Sequence, residues 1–213
     1  MTQHPSTEDV IRTLASRPSP RPFGPALIGL AMVAAGVAGL VPFFLALGLR
    51  ADLAAALSVP TTLAKSALPL LLALLALPLA LGSARPEARL PLWPLLLPLA
   101  LALLLVVGQV VDTPRDRLLP EMLGHTATAC LAFITALSIA PMVTGIALSR
   151  RGATTRPVLS GALIGLAAGA GAATGYALHC TEDAPLFYVG WYGLAIVTSG
   201  GLGAGLGHRY LRW

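Results

Sequence analysis

Side chains that could do chemistry are concentrated at two places in this sequence. The segment 179–183 reads His-Cys-Thr-Glu-Asp, so a thiol, an imidazole and two carboxylates lie side by side. The other cysteine, Cys130, follows His125 by five residues and belongs to a different apolar stretch. Thiolate and imidazole groups bind zinc and similar soft cations, and four of them complete a tetrahedral site. We therefore expect a Cys/His cluster if both stretches present these residues at the same end of the protein.

The cysteine pair has three interpretations that the sequence leaves open. The two thiols could bind a transient zinc- or cadmium-like ion or undergo reversible oxidation. They could form a static disulfide, which needs an oxidising compartment and Cα atoms within about 7 Å. They could also be unrelated small residues, since buried cysteine is common. The predicted sensing residues are Cys130 and Cys180, and the candidate further metal ligands are His125, His179, Glu182 and Asp183. No resident cofactor is predicted.

The composition indicates that the bilayer is the solvent of these residues. Of the 213 residues, 56% are hydrophobic and only 11% are charged, whereas soluble domains carry about 25% charged residues. The apolar residues form long uncharged runs rather than amphipathic stripes, which is typical of integral membrane proteins. The net charge of +5 is scattered over the connecting segments. Direct nucleic-acid binding is therefore excluded, because no basic stripe is present.

Six apolar runs predict an all-α integral membrane protein built as a bundle of six transmembrane helices. Each run has roughly 19–27 residues, enough to cross a ~30 Å hydrocarbon core at 1.5 Å per residue. The runs are 23–49, 66–84, 90–111, 123–148, 158–178 and 186–207, and none contains Lys, Arg, Asp or Glu. The chain then divides into an N-terminal segment 1–22, a membrane domain 23–207 and a tail 208–213. Aromatic residues near the start of the sixth run, Tyr188, Trp191 and Tyr192, predict an interfacial belt.

The distribution of Lys and Arg predicts the orientation of the bundle. Ten of these residues fall on the side of the two termini and four on the other side. Since positive loops stay in the cytoplasm, both termini are expected to be cytoplasmic in a bacterial inner membrane. Arg50 and Lys65 are among the four, and both are assigned to an exterior loop at about 50–65. The cysteines are then expected near the exterior face.

The N-terminal segment contains a candidate docking helix. Ser6 or Thr7 can cap it, and acidic residues in the first turn suit the helix dipole. About eleven residues make a marginal helix in water, so the segment is either a frayed tail or a peptide that folds on a cytosolic partner. The residues expected to bind that partner are Glu8, Asp9, Val10, Ile11 and Leu14.

Small residues at four-residue spacing predict close helix packing. Gly161, Gly165 and Gly169 repeat in the fifth run, and Gly201 and Gly205 repeat in the sixth. Such faces let helix backbones approach each other in lipid. They predict either tight packing within one chain or the seam of a homodimer.

Enzymatic function is not supported by the sequence. It contains no His-Glu-x-x-His motif, no P-loop and no recognisable nucleophile–base pair. The apolar runs also lack the ionisable residues that a proton or ion path needs. A small metal or solute transporter and a structural membrane protein stay as alternatives to a regulatory role.

Several of these features together resemble the NrsF-type family of bacterial inner-membrane proteins, some of which are anti-sigma factors. The resemblance rests on the start 7–15 (Thr-Glu-Asp-Val-Ile-Arg-Thr-Leu-Ala), six helices, Cys130 early in the fourth run, and the segment 179–183 ahead of Trp191-Tyr192. It covers nearly the whole chain. Cys130 and Cys180 match the two family cysteines that are thought to take part in sensing.

The resemblance implies a function. The protein would hold an extracytoplasmic-function sigma factor at the membrane and release it on a periplasmic signal, such as a heavy metal or an oxidant. The cytoplasmic parts of this chain are much shorter than a folded sigma-binding domain. Sigma-factor binding would therefore use segment 1–22, together with the loops at 85–89 and 149–157 and the tail 208–213.

Overall fold

The computed structural model describes residues 6–16, 23–84, 90–152 and 154–212. Within these ranges the chain forms α-helices and one 3-10 turn, with no strand. The helices are α1 (Thr7–Ser16), α2 (Pro25–Leu47), α3 (Leu53–Leu57), α4 (Pro60–Gly82), α5 (Leu96–Asp112), α6 (Arg115–Leu123), α7 (Ala127–Ser149), α8 (Pro157–Tyr176) and α9 (Pro185–Tyr210), and the 3-10 turn Trp93–Leu95 precedes α5. Six helical segments are long and apolar enough to cross a membrane, and they contain α2, α4, α5, α7, α8 and α9. The all-α architecture and the six apolar helices are confirmed, while the membrane orientation stays a prediction.

Proline starts four of the long helices: α2, α4, α8 and α9. A proline suits the first helical position because its φ is already helical and its missing N–H would have no partner there. α4 consequently begins at Pro60, six residues before the predicted start of the second run. The assignment of Lys65 to a loop was wrong. We ended the apolar run at this charged residue, but α4 continues through Lys65 to Pro60. One of the six apolar helices therefore carries a buried cation.

The centre of the bundle is α8, which packs against α9, α4 and α7. Its glycines allow the approach to α9, since a Cβ on Gly161 or Gly165 would collide with the backbone carbonyl of Gly203 or Ser199. The glycine repeat of α8 thus packs within one chain. By contrast, a Cβ on Gly201 or Gly205 would meet no described atom within 4 Å. The homodimer stays a prediction, now confined to this open face of α9.

The bundle has two ends that differ in their polar residues. At one end, which we call the thiol end, α2 finishes, α4 begins, and residues 177–184 connect α8 to α9. We call residues 177–184 the cysteine loop. The opposite end contains the arginine loop, residues 150–152 and 154–156, between α7 and α8. There the guanidinium carbon of Arg151 lies 4.5 Å from the ring centre of Phe23, and Thr154 donates a 3.1 Å hydrogen bond to the carbonyl of Ser83. The loop at 85–89 and residues 1–5 and 17–22 lie outside the described residues.

Candidate thiol site

The two cysteines meet at the thiol end. Cys130 lies in the first turn of α7, and Cys180 lies in the cysteine loop. Their Sγ atoms are 3.9 Å apart, and both residues are buried and unbridged. The structure thus brings together the two residues that the sequence nominated for sensing. The two residues are 50 positions apart in the sequence, and the antiparallel packing of α7 and α8 brings them together in space.

The distance between the two sulfur atoms is closer to that of two thiolates on one metal ion than to that of a disulfide bond. A disulfide requires about 2.05 Å, so closing the observed 3.9 Å needs a movement of about 1.9 Å. With metal–sulfur bonds of about 2.3 Å, the same separation corresponds to a sulfur–metal–sulfur angle of about 115°. That angle lies close to the tetrahedral and trigonal values. Two thiolates in this geometry can chelate a soft divalent cation without rearrangement of the sulfur atoms.

The remaining predicted ligands make other contacts. His179 places Nδ1 2.8 Å from the carbonyl oxygen of Gly48. The backbone N–H of His125 donates to Oε1 of Glu182 at 2.8 Å, and Asp183 accepts hydrogen bonds from two cations. In the part of the chain that the structure describes, no three His, Cys, Asp and Glu side chains come close enough to hold one metal ion.

Tyr192 contributes a polar atom that the sequence did not nominate. Its hydroxyl is buried and has no hydrogen-bond partner among the described residues. The side chain packs in the same buried cluster as Cys130 and Cys180. Tyr188 is buried as well, so the assignment of both tyrosines to an interfacial belt was wrong. The buried cluster around the two sulfurs therefore also contains the phenol of Tyr192.

Lys65 holds the cysteine loop from the side of α4. Its side chain is 1% exposed, and Nζ donates to the carbonyl oxygen of Cys180 at 2.6 Å, to Oδ1 of Asp183 at 2.7 Å and to the carbonyl of Glu182 at 3.1 Å. An ammonium group has three protons, so every donor of Lys65 is used. A buried charge of this kind requires such complete pairing.

Arg50 holds the same loop from the end of α2. Its guanidinium pairs with both carboxylate oxygens of Asp183 at 2.8 and 2.9 Å, and with those of Asp52 at 2.8 and 3.0 Å. It also donates to the carbonyl of Cys180 at 3.3 Å. Burial works against the ionised form of Asp183, but the bonds from Arg50 and Lys65 hold its pKa below the ordinary value. The hydrogen bonds of Arg50 with Asp52 and Asp183 raise the pKa of the Arg50 guanidinium.

The charges around Cys180 favour its thiolate. The hydrogen bond from the Cys130 thiol is the largest influence and, against the opposing effect of burial, lowers the pKa of Cys180 below its ordinary value. The positive charge of Lys65 acts in the same direction. Because the thiolate is both the metal ligand and the nucleophile, a lowered pKa favours Cys180 in either role.

The sequence contained one indication of this ion cluster. Arg50 and Lys65 were predicted on the same side of the bundle as Asp52 and Asp183, and opposite charges near one apolar boundary usually pair. The pairing of Asp183 with Arg50 and Lys65 could not be assigned, because it lies more than a hundred positions from both and the start of α4 was misplaced.

The candidate docking helix α1 has the predicted cap and an exposed apolar side. The backbone N–H of Asp9 donates to Oγ of Ser6 at 3.2 Å, and that hydroxyl donates to Oδ2 of Asp9 at 2.7 Å. Val10 and Ile11 are 42% and 55% exposed, and Glu8 and Leu14 lie on the same helix. Val10 and Ile11 are thus displayed on the exposed side of α1, and Glu8 and Asp9 lie in its first turn.

Comparison with known proteins points to one family. A family model described as negative regulator of sigma F, NrsF, matches residues 14–213. The chain is 33% identical over 183 residues to the probable anti-sigma-F factor NrsF of Azospira oryzae (strain ATCC BAA-33 / DSM 13638 / PS), a match that covers 84% of this chain and 85% of that protein. It is 32% identical over 108 residues to the anti-sigma-F factor NrsF of Caulobacter vibrioides (strain NA1000 / CB15N), and this match spans 50% of each protein. No solved structure matches the chain significantly.

Proposed function

The chain belongs to the NrsF family, and on that premise we propose that it is a membrane anti-sigma factor. It sequesters an extracytoplasmic-function sigma factor at the cytoplasmic face of a bacterial inner membrane. A metal or oxidative signal on the periplasmic side is sensed by Cys130 and Cys180, and the sigma factor is then released. The role is regulatory rather than enzymatic.

One observation carries the sensing part of the proposal: two buried sulfur atoms, one from α7 and one from the cysteine loop, lie 3.9 Å apart. A zinc- or cadmium-like ion could bind between them at an angle of about 115°, whereas oxidation to a disulfide must first draw them together. Only the two sulfurs are retained as protein ligands. The side chains of His179, Glu182 and Asp183 are engaged elsewhere in this arrangement, and no three of the predicted ligand side chains among the described residues are close enough to share one ion.

The sigma-factor site is proposed on α1. The connection between Ser16 and Phe23 is short, so α1 joins the bundle at the end that holds the arginine loop. The exposed side of α1 carries Val10 and Ile11, which suits the insertion of an amphipathic helix into an apolar groove of a partner. The binding residues proposed are Glu8, Asp9, Val10, Ile11 and Leu14, with the loops at 85–89 and 149–157 and the tail 208–213 as further contacts.

The proposal is tested by purifying tagged protein from a native-like bacterial membrane and identifying bound proteins by mass spectrometry. We expect the full chain to retain a sigma factor and a chain without residues 1–21 to lose it. Ile11→Asp should also lose it, because the apolar side of α1 gains a charge. Ser16→Asp is the matched control, since it adds the same charge on the opposite side of α1.

The outcomes separate the candidate functions. A sigma factor bound by the full chain and by the truncated chain would move the docking site to the loops. No sigma factor with either would contradict the anti-sigma role, and metal flux into vesicles would then test the transporter alternative. If Cys130→Ser and Cys180→Ser proteins release the sigma factor on metal or oxidant like the parent, the sensing role is wrong.

A further inference from the structure

The buried cation in α4 has no role in the function proposed so far. Lys65 lies in the second turn of α4, and its ammonium group is directed at the backbone of the cysteine loop. The shortest of its three hydrogen bonds joins it to the carbonyl oxygen of Cys180 itself, at 2.6 Å. Arg50 adds a second donor to the same oxygen at 3.3 Å. The position of the sensing residue is therefore tied to helices that contain no cysteine.

The other end of α4 contacts the arginine loop. α4 finishes at Gly82, and the carbonyl of Ser83 accepts a 3.1 Å hydrogen bond from Oγ1 of Thr154. Thr154 in turn lies 2.7 Å from the hydroxyl of Ser160, at the start of α8. Ser83, Thr154 and Ser160 are all buried. One continuous helix thus connects the carbonyl of Cys180 to a buried hydroxyl cluster at the opposite end of the bundle.

We propose that Lys65 is a positioning residue that fixes Cys180 to α4, and that α4 carries a displacement of the cysteine loop to the arginine loop. The proposal rests on the proposed function for its biological meaning, because it assigns the route by which a change at the thiols reaches the sigma-factor side. It adds a route to the direct packing of α7 against α8.

The hydrogen bonds from Lys65 to the cysteine loop tolerate only a small change in length, so they couple the loop to α4. Closing the sulfur pair to a bridge requires a movement of about 1.9 Å. The bonds of Lys65 to the loop are 2.6–3.1 Å long, and a hydrogen bond to oxygen is lost beyond about 3.5 Å. If the loop moved alone, a buried ammonium group would lose its partners, which is strongly unfavourable. Movement of Lys65 together with the loop keeps these bonds, and α4 must then follow.

The experiment uses the full chain in lipid nanodiscs and needs neither sigma factor nor natural inducer. Diamide, a small thiol oxidant, removes two electrons and two protons from Cys130 and Cys180 to form a disulfide and is itself reduced to its hydrazine. The thiols left for alkylation after denaturation measure the extent of bridging. Hydrogen exchange of amides 150–160 then measures the response of the arginine loop. In the parent protein we expect bridging to change these exchange rates roughly threefold or more.

Two pairs of variants distinguish transmission from simple stabilisation. Lys65→Met should bridge as completely as the parent but leave amides 150–160 unchanged, whereas Lys65→Arg, which retains a donor for the same carbonyl and carboxylate, should restore the response. Thr154→Val removes the hydroxyl at the other end of α4 and should also abolish the response, while Thr154→Ser should keep it. This second pair leaves the thiol end intact, so it tests the route even if Lys65→Met does not fold.

Three results would overturn the proposal. The first is a full response at 150–160 in bridged Lys65→Met or Thr154→Val. The second is no response in the parent despite complete bridging. The third is failure of the parent thiols to bridge even on prolonged oxidation, because the displacement that α4 is proposed to carry would then not occur. A protein that transmits bridging but binds no sigma factor would retain this inference and refute the proposed function, so the two failures are distinguishable.

Discussion

A pair of glycines in α9 tests the packing of the bundle with a single chemical change. Gly203 faces α8, and a Cβ there would collide with the carbonyl of Gly161 and lie 2.9 Å from the Cα of Gly165. Gly205, two residues further along the same helix, faces open space, and a Cβ there meets no described atom within 4 Å. We expect Gly203→Ala to destabilise the protein and Gly205→Ala to stabilise it.

The magnitudes follow from two opposing effects. Replacing a helical glycine with alanine favours the helix by about 1 kcal/mol at either position. At Gly203 the added methyl group must also push two helix backbones apart, and overpacking costs about 1–3 kcal/mol. The cost belongs at the upper end of that range, because backbone atoms cannot turn aside as a flexible side chain can. The helix preference cancels between the variants, so their difference of about 2–3 kcal/mol measures the contact.

The assay is reversible unfolding in mixed micelles as the fraction of denaturing detergent rises, followed by tryptophan fluorescence. Equal stability of Gly203→Ala and Gly205→Ala would refute the close approach of α8 and α9. Chemical crosslinking of the same samples examines the homodimer. If the open face of α9 forms its seam, Gly205→Ala should reduce the dimer while Gly203→Ala leaves it intact.

Three further predictions concern the thiol end. Asp183→Asn should lower the free energy of unfolding by about 3 kcal/mol, because Lys65 loses its buried countercharge, and Asp116→Asn on the exposed surface should change it by less than about 0.5 kcal/mol in the same unfolding assay. Tyr192→Phe should leave that stability within about 1 kcal/mol of the parent, since it removes a hydroxyl without a described partner. A lower stability would show that the hydroxyl is satisfied. We expect the parent to form a cadmium–thiolate complex with ultraviolet absorption and Cys180→Ser to lose it, and an unchanged absorption in the variant would place the metal elsewhere.

The six long helices could be predicted because each is encoded locally. An uncharged run of about twenty residues has one stable conformation in lipid, an α-helix that pairs its own backbone groups. The exception was the start of α4, where Pro60 and Lys65 were both interpreted as loop residues. The proline begins the helix instead. The lysine enters the apolar region because the cysteine loop supplies three acceptors for its protons.

The thiol site could be predicted only in part, since it depends on contacts between distant segments. Because successive long helices run in opposite directions, the start of α7 and the end of α8 lie at the same end, which brings Cys130 and Cys180 to that end. No local pattern determines how far apart their sulfurs lie. The metal ligand set was proposed from neighbours in the sequence. In the structure, His179 turns to the end of α2 and Glu182 caps the turn before α7. Adjacent residues in an irregular loop point in different directions, so sequence proximity is a poor guide there.

The ion cluster at the thiol end is not explained by stability alone. A buried salt bridge often adds little net stability, because desolvation of both charges offsets their attraction. An apolar residue at position 65 would pack against the helices at no such cost. What a lysine adds is a set of directed bonds to the cysteine loop, the shortest of them to the carbonyl of Cys180, which an apolar side chain cannot make. A methionine at this position should therefore preserve the fold more readily than the response, and the separation of those two properties is what the bridging experiment measures.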